Sequence, residues 1–376
     1  NVIIIFFFAA IIFCLPVFLS LGNWGIHDWD QQIFWRAMPR HTLFAYKQFP
    51  FWDPYVNGGG VYFAHPHACF LNPMFLLSLP FKPEIGVKIE ILVYFLIGLL
   101  GTYVLGRSLG MSNLGAYLAA FVYMCSSYLS LHVAEGHTCY LLMALVVWVF
   151  FFYVRALSQY KDAVFAIILL VWIQFAGGVH IFTAAVFLLF IFSAAKSIEA
   201  RNIKPLLIWM TVIGGTFLLG AVNFIPMLGF IRDYPRPIND LQGIGPNMFY
   251  HMFLDRNQAG LFLASYKNTI VGIDPDYQKR FGLLTYWTAY GFYIGYIPLF
   301  LLLPGILFQF KKRWPLIVTG LILFIVVLVS KSPFGIVWNI LHRIPIYNYL
   351  RPSSGHAGNA ILMMALVIGL FFTRIQ

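Results

Sequence analysis

The chain has 376 residues, of which 61% are hydrophobic, 19% aromatic and only 10% charged, with 24 Lys and Arg against 13 acids and a formal charge of +11. Soluble domains average about 25% charged residues, so these figures, with a mean hydropathy of +0.81, exclude a soluble globular chain and a disordered one. The apolar residues run in long unbroken blocks, which excludes the ~10-residue alternating strands of an outer-membrane barrel.

What remains is an all-α, polytopic integral membrane protein. A block of ~20 apolar residues crosses the bilayer as a helix, because its backbone polar groups are then satisfied internally. The basic excess reads first as topology, since basic residues stay cytoplasmic. It also suits anionic lipid head groups, and it gives no reason to expect nucleic acid. Cys14, Cys69, Cys125 and Cys139 form no CxxC and no Cys/His ligand spacing, so they read as small packing residues. The chain starts at Asn1 without a methionine and stops at Gln376 within or just past an apolar run, so it reads as a piece of a longer protein.

Residues 2–22 form the first span. A polar, aromatic loop follows over 23–67. The stretch 68–81 is apolar but too short to cross, and Pro73 interrupts it, so it reads as interfacial or re-entrant. Spans follow at about 86–106, 114–131 and 139–155. The 33 residues of 163–195 would rise ~50 Å as one helix, too long for a ~30 Å core. Two full spans need more residues, and both flanks are basic. The reading is a pair of short helices turning at Gly177-Gly178, with the turn covered by protein or open to water. Then come a span at 205–228, a loop at 229–284, spans at 285–308 and 315–330, a loop at 331–355 and a last span at 356–373. Together these give one transmembrane domain over 1–376 with about ten spans.

With the N-terminus cytoplasmic, the short connections 107–113, 155–162, 196–204 and 309–314 are all cytoplasmic. They hold nine Lys/Arg and only two acids, Asp162 and Glu199. The connection 132–138 faces outward and has no Lys or Arg. This positive-inside pattern puts the large loops 23–85, 229–284 and 331–355 on the outer face. The chemistry is therefore expected there.

The first outer loop opens with Asp28 and Asp30, two carboxylates directly after a span, then Gln31 and Gln32. Ile33, Phe34, Ala37 and Met38 fall at helical spacing, which predicts an amphipathic helix lying on the membrane. A carboxylate held there can act as general base on a hydroxyl, and the pair can bind a divalent ion. The same two acids also suit a helix N-cap and first turn. Further on stand Phe49-Pro50-Phe51-Trp52-Asp53-Pro54-Tyr55, three glycines at 58–60, and His65-Pro66-His67. These suit sugar faces and membrane belts alike. In the last outer loop Arg343 and Arg351 flank an aromatic turn, where they can hold a phosphate or snorkel to the interface. Asn247–Tyr266 is apolar enough for a surface-lying helix, and Asp274, Asp276, Lys279 and Arg280 read as a solvated turn. There is no Walker A, HExxH or GxSxG.

Four stretches, in order, resemble the GT-C superfamily of membrane glycosyltransferases, and within it the YfhO-like bacterial membrane proteins. They are Asp28 with Gln31-Gln32; Phe49–Tyr55 running to Gly58-Gly59 and Pro66; Gly177-Gly178-Val179-His180; and Tyr349-Leu350-Arg351-Pro352-Ser353-Ser354. The resemblance implies a GT-C-like fold with interfacial helices in the outer loops, in the plasma membrane of a bacterium. It implies transfer of a sugar from a polyprenyl-phosphate carrier to an outward-facing acceptor. Asp28 would be the general base, and Asp30 would orient the acceptor or help hold a metal. Gln31, Trp52, His65 and His67 would line the substrate pocket, with Arg343 and Arg351 on the lipid phosphate. The last motif departs from the family, with Gly355-His356 where a second basic residue is usual, which implies a weaker phosphate clamp or His356 as a substitute. No cofactor is implied beyond a divalent ion. The rivals are a non-catalytic subunit or scaffold with membrane-protein partners, and a lipid-linked-sugar flippase. The near absence of ionisable residues within the spans disfavours the flippase.

Overall fold

The computed structural model describes residues 2–19, 28–56, 58–235, 248–261, 287–328, 336–344, 346–350 and 353–376. In chain order the helices are α1 (Val2–Leu19), α2 (Trp29–His41), α3 (Pro83–Ser108), α4 (Asn113–Met124), α5 (Ser127–Glu135), α6 (Met143–Ala156), α7 (Ala163–Phe175), α8 (Val179–Ala200), α9 (Lys204–Leu219), α10 (Ala221–Asp233), α11 (Met248–Phe253), α12 (Tyr296–Leu328), α13 (Ile336–Leu341) and α14 (Ala357–Ile375). The strands among the described residues are β1 (Trp52–Asp53) and β2 (Gly60–Val61), an antiparallel pair. Among the described residues, six helical stretches are long and apolar enough to cross a membrane: α1, α3, α4 with α5, the run Thr138–Ala156, α8 and α14. The chain is a multi-pass helical membrane protein.

Several local expectations have direct counterparts. The helix expected after the first span is α2. The stretch broken by Pro73 is a short 3-10 helix, Pro73–Ser78, whose N-cap Asn72 accepts from the Met74 amide. The 163–195 stretch turns at Gly177-Gly178, although α8 has 22 residues and is long enough to cross. The two apolar runs on either side of Lys311-Lys312-Arg313 meet at a break at Arg313 (φ −132°, ψ 24°).

One expectation is corrected. The 205–228 run does not form a single straight span, because α9 and α10 are bent by 85°. The break falls at Gly220, a poor helix former, and Pro226 inside α10 removes a further helical donor. Of the expected surface helix 247–266, the described part holds α11 and a helical segment at 258–261. Asp274, Asp276, Lys279 and Arg280 lie outside the described residues.

The chain divides into two compact units. The first comprises Asn1–Leu100, Val133–Thr183 and Leu207–Arg236. The second comprises Gly101–His132, Ala184–Leu206 and Pro237–Gln376. Four of the dividing points fall inside α3, α5, α8 and α9.

In the first unit α6 packs along α7. Phe13 of α1 stacks on Phe95 of α3 with ring centroids 4.2 Å apart. The loop after α2 has its own small core of Met38, Tyr62, Ala68, Phe70 and Phe75. It is pinned to α2 by the Tyr62 hydroxyl, which donates to the Trp35 carbonyl at 2.6 Å.

In the second unit α14 is buried along almost its whole length and packs against α4 and α12. Glycines set the approach: a Cβ on Gly369 would lie 2.6 Å from the Gly115 carbonyl oxygen, and one on Gly115 would lie 2.6 Å from that of Gly369. Small residues let membrane helices touch backbone to backbone in this way. Basic side chains close the carbonyls left over near helix ends. Arg313 donates to Leu109 at 2.7 Å, Arg374 to Phe308 at 2.9 Å, and Arg107 to Met111.

Candidate functional site

The site is built around the first turn of α2. Trp29, Gln32, Arg36 and Met38 are the buried face of that helix. Asp28 occupies its N-cap position, but its side chain makes no capping hydrogen bond. The carboxylate faces His137 instead, with Oδ2 3.2 Å from Nε2. On the other side of the ring, His137 Nδ1 lies 3.5 Å from Glu135 Oε2. Side-chain exposure grades along the three residues, from 32% at Asp28 through 25% at His137 to 0% at Glu135.

Backbone geometry brings these groups together. The Asp28 amide donates to the Glu135 carbonyl at 3.0 Å. Between Glu135 and His137 stands Gly136 at φ +87°, a left-handed conformation that other residues adopt at a cost. A Cβ there would also sit 2.7 Å from the Trp29 nitrogen and 2.9 Å from the Asp28 carbonyl carbon. Only glycine allows this chain end to close on the head of α2.

A buried network fixes α2 one turn further along. Arg36 and Glu90 are both almost fully buried, and Arg36 Nε and Nη2 reach Glu90 Oε2 at 3.2 and 2.6 Å. Burial alone would push the guanidinium down, but Glu90 outweighs it and holds Arg36 above its usual range. Arg36 also donates to the Gln32 carbonyl at 3.0 Å and to Thr138 Oγ1 at 3.4 Å. Thr138 in turn donates to Gln32 Oε1 at 2.5 Å. The residue after His137 is thus clamped to the residue one turn beyond Asp28.

A second cluster joins two sequence motifs. Trp35 and His67 stack at 5.5 Å, and His67 and His180 stack at 5.3 Å. His65 lies 5.5 Å from Trp35 and 5.8 Å from His67. Gly177, at φ +74°, allows the approach: a Cβ there would lie 2.7 Å from the His67 carbonyl oxygen. Burial pushes the His65 imidazole down to about 4, and its Nδ1 accepts from the His67 amide at 3.2 Å.

The other expected residues fall elsewhere. Asp30 and Gln31 are exposed on α2, and Trp52 is exposed on β1. Arg343 is exposed in the turn after α13. The Arg351 side chain lies outside the described residues. His356 is buried at the head of α14 beside Phe187, Trp338 and Tyr347. It is packed among these rings as an aromatic side chain. Reading the sequence missed Glu135, His137 and the Arg36–Glu90 pair.

Among the described residues, one group has the composition of a metal site. His132, Glu135 and His137 each present one ligand atom, all within 4.8 Å of one another. Asp30 does not belong to it. No family model, curated protein or solved structure matches the chain.

Proposed function

We propose that the chain is a GT-C-type membrane glycosyltransferase, similar to the YfhO-like proteins. It moves a sugar from a polyprenyl-phosphate carrier to an acceptor hydroxyl on the outer face of a bacterial inner membrane. About ten spans, a cytoplasmic N-terminus and outward-facing large loops belong to this reading. The observation that supports it most is the Asp28 carboxylate, one-third exposed at the head of α2 and oriented by His137, with buried Glu135 behind.

In the reaction, the acceptor oxygen bonds to the anomeric carbon as the bond from that carbon to the phosphate oxygen breaks. The acceptor proton passes to Asp28 and the polyprenyl phosphate leaves. General-base assistance of this kind contributes about 10²–10⁴-fold. His137 fixes the direction of the carboxylate, and the Arg36–Glu90–Gln32–Thr138 network holds the helix that carries it.

The test compares surface glycans of cells carrying wild type, a deletion and Asp28→Asn at matched membrane levels. The expected result is a glycan lost in the deletion and reduced at least 100-fold in Asp28→Asn. A silent Asp28→Asn would overturn the reading and favour a non-catalytic subunit, above all if the deletion alters only the assembly of a larger complex.

A further inference from the structure

We propose that His132, Glu135 and His137 bind a divalent transition-metal ion of the zinc class, with Asp28 as the carboxylate behind the metal-bound histidine. The three ligands belong to one unbroken stretch of chain, the last turn of α5 and the turn after it. His132 and Glu135 are three residues apart, on the same face of the helix. The left-handed Gly136 then brings His137 back toward them. One atom from each lies within 4.8 Å of the other two.

The ligand chemistry selects the class of ion. Two imidazoles and one carboxylate suit zinc and its neighbours. Calcium and magnesium prefer sets made of oxygen. The ligands are also shielded: Glu135 is fully buried and His132 is almost so.

A second, independent observation comes from the far side of the His137 ring. A histidine that binds metal through one nitrogen almost always donates its other N–H to a carboxylate, carbonyl or water, which fixes the ring and raises its basicity. His137 has this layout. Nδ1 faces Glu135 Oε2 at 3.5 Å and Nε2 faces Asp28 Oδ2 at 3.2 Å. Asp28, His137 and the ion would form a carboxylate–histidine–metal line, tied at its far end by the Asp28 amide to the Glu135 carbonyl. Three protein ligands leave a coordination position for an oxygen from outside. The inference rests on this geometry alone and stands whether or not the chain transfers sugar.

The test is a Co²⁺ titration of the full chain in detergent after stripping with chelator, followed by visible absorption and by competition with Zn²⁺. The expected result is one equivalent of Co²⁺ displaced by Zn²⁺. Affinity falls at least 100-fold in His137→Ala and in Glu135→Gln, and about 10–100-fold in Asp28→Asn, as for other residues behind metal ligands. His251→Gln, a histidine outside the cluster, leaves it unchanged. Size-exclusion and thermal melts without metal check that each variant folds. Where one does not, X-ray absorption at the zinc edge of the wild type reads the ligand set directly, with two imidazoles expected. Failure to bind one equivalent, binding that survives both ligand variants, or a zinc edge without imidazole would each overturn the proposal. None of these readouts depends on a glycan.

Discussion

The two units of this chain differ in what their polar side chains bond to. In the first, beside carbonyl contacts such as Tyr62 to Trp35, several bond to one another between segments far apart in sequence. Arg36 meets Glu90, Thr138 meets Gln32, Trp172 and Tyr94 both donate to Asn72, and Gln174 donates to Asn223. In the second, they mostly close backbone carbonyls. Arg313, Arg374, Gln309, Asn359 and Thr319 all do so. Its helices meet through glycine, at Gly115 and Gly369. A carbonyl cap satisfies the backbone and adds no chemistry. A side-chain network fixes particular groups in particular directions, which is what a site needs. Asp28, Glu135 and His137 belong with the first unit's polar networks, while the described contacts of the second unit are mostly helix packing and carbonyl caps.

The strongest way to break this contrast is to remove one member of the buried ion pair. Glu90→Gln leaves Arg36 charged and buried, and losing one partner of such a pair costs about 3–5 kcal/mol. We expect Glu90→Gln to lower the thermal unfolding midpoint in detergent sharply, with much less folded protein recovered. Replacing both residues, as Arg36→Met with Glu90→Leu, should recover most of that loss, because no charge is then stranded. If Glu90→Gln melts like wild type, the network is not what holds α2.

The second unit should fail differently. Gly369→Leu forces bulk against a backbone oxygen that cannot rotate away, and overpacking of this kind costs about 1–3 kcal/mol. The expected outcome is a lower melting point with metal binding per folded molecule unchanged. Gly136→Ala sharpens the comparison from the other side. Its left-handed strain costs about 1–2 kcal/mol, and its new Cβ presses on the head of α2. It should lose metal affinity and Asp28-dependent activity by at least tenfold while most of the protein stays folded. Equal losses of function in the two glycine variants would erase the distinction between a packing unit and a site-bearing one.

What the sequence made legible is local. The helix α2 follows from the spacing of Ile33, Phe34, Ala37 and Met38. The turn at Gly177-Gly178 follows from a stretch too long for one span and too short for two. Asp28 stands out because it directly follows an apolar block. Its partners do not, because they lie more than 100 residues away in 132–138, which reads as a bare connection without Lys or Arg. The signal there is the spacing His132-x-x-Glu135-x-His137, which matches no established metal motif. The bend at Gly220 was equally hidden, since the run 205–228 carries no charge through it and its glycines and Pro226 are of a kind that membrane helices tolerate. Arg36 and Glu90 look like an ordinary surface arginine and a helix-end acid until the fold pairs them.

The smallest expected effect is a dependence of stability on pH, which again separates side chains that bond to one another from side chains that are simply buried. His65 is held neutral in the folded chain, down to about 4, against 6.5 for a free imidazole. The unfolded chain therefore binds a proton at His65 over that interval and the folded chain does not. Stability is then full above about pH 6.5 and is lost as the pH falls toward 4, by about 1 kcal/mol one pH unit below the free value. The hydrogen bond from the His67 amide to His65 Nδ1 acts in the same direction, because protonating that nitrogen removes the acceptor. Unfolding midpoints measured between pH 7 and 5 should fall in the wild type and fall less steeply in His65→Gln. An unchanged slope in that variant would mean that the cluster of His65, His67 and Trp35 tolerates a charge, and that this part of the first unit is open to solvent.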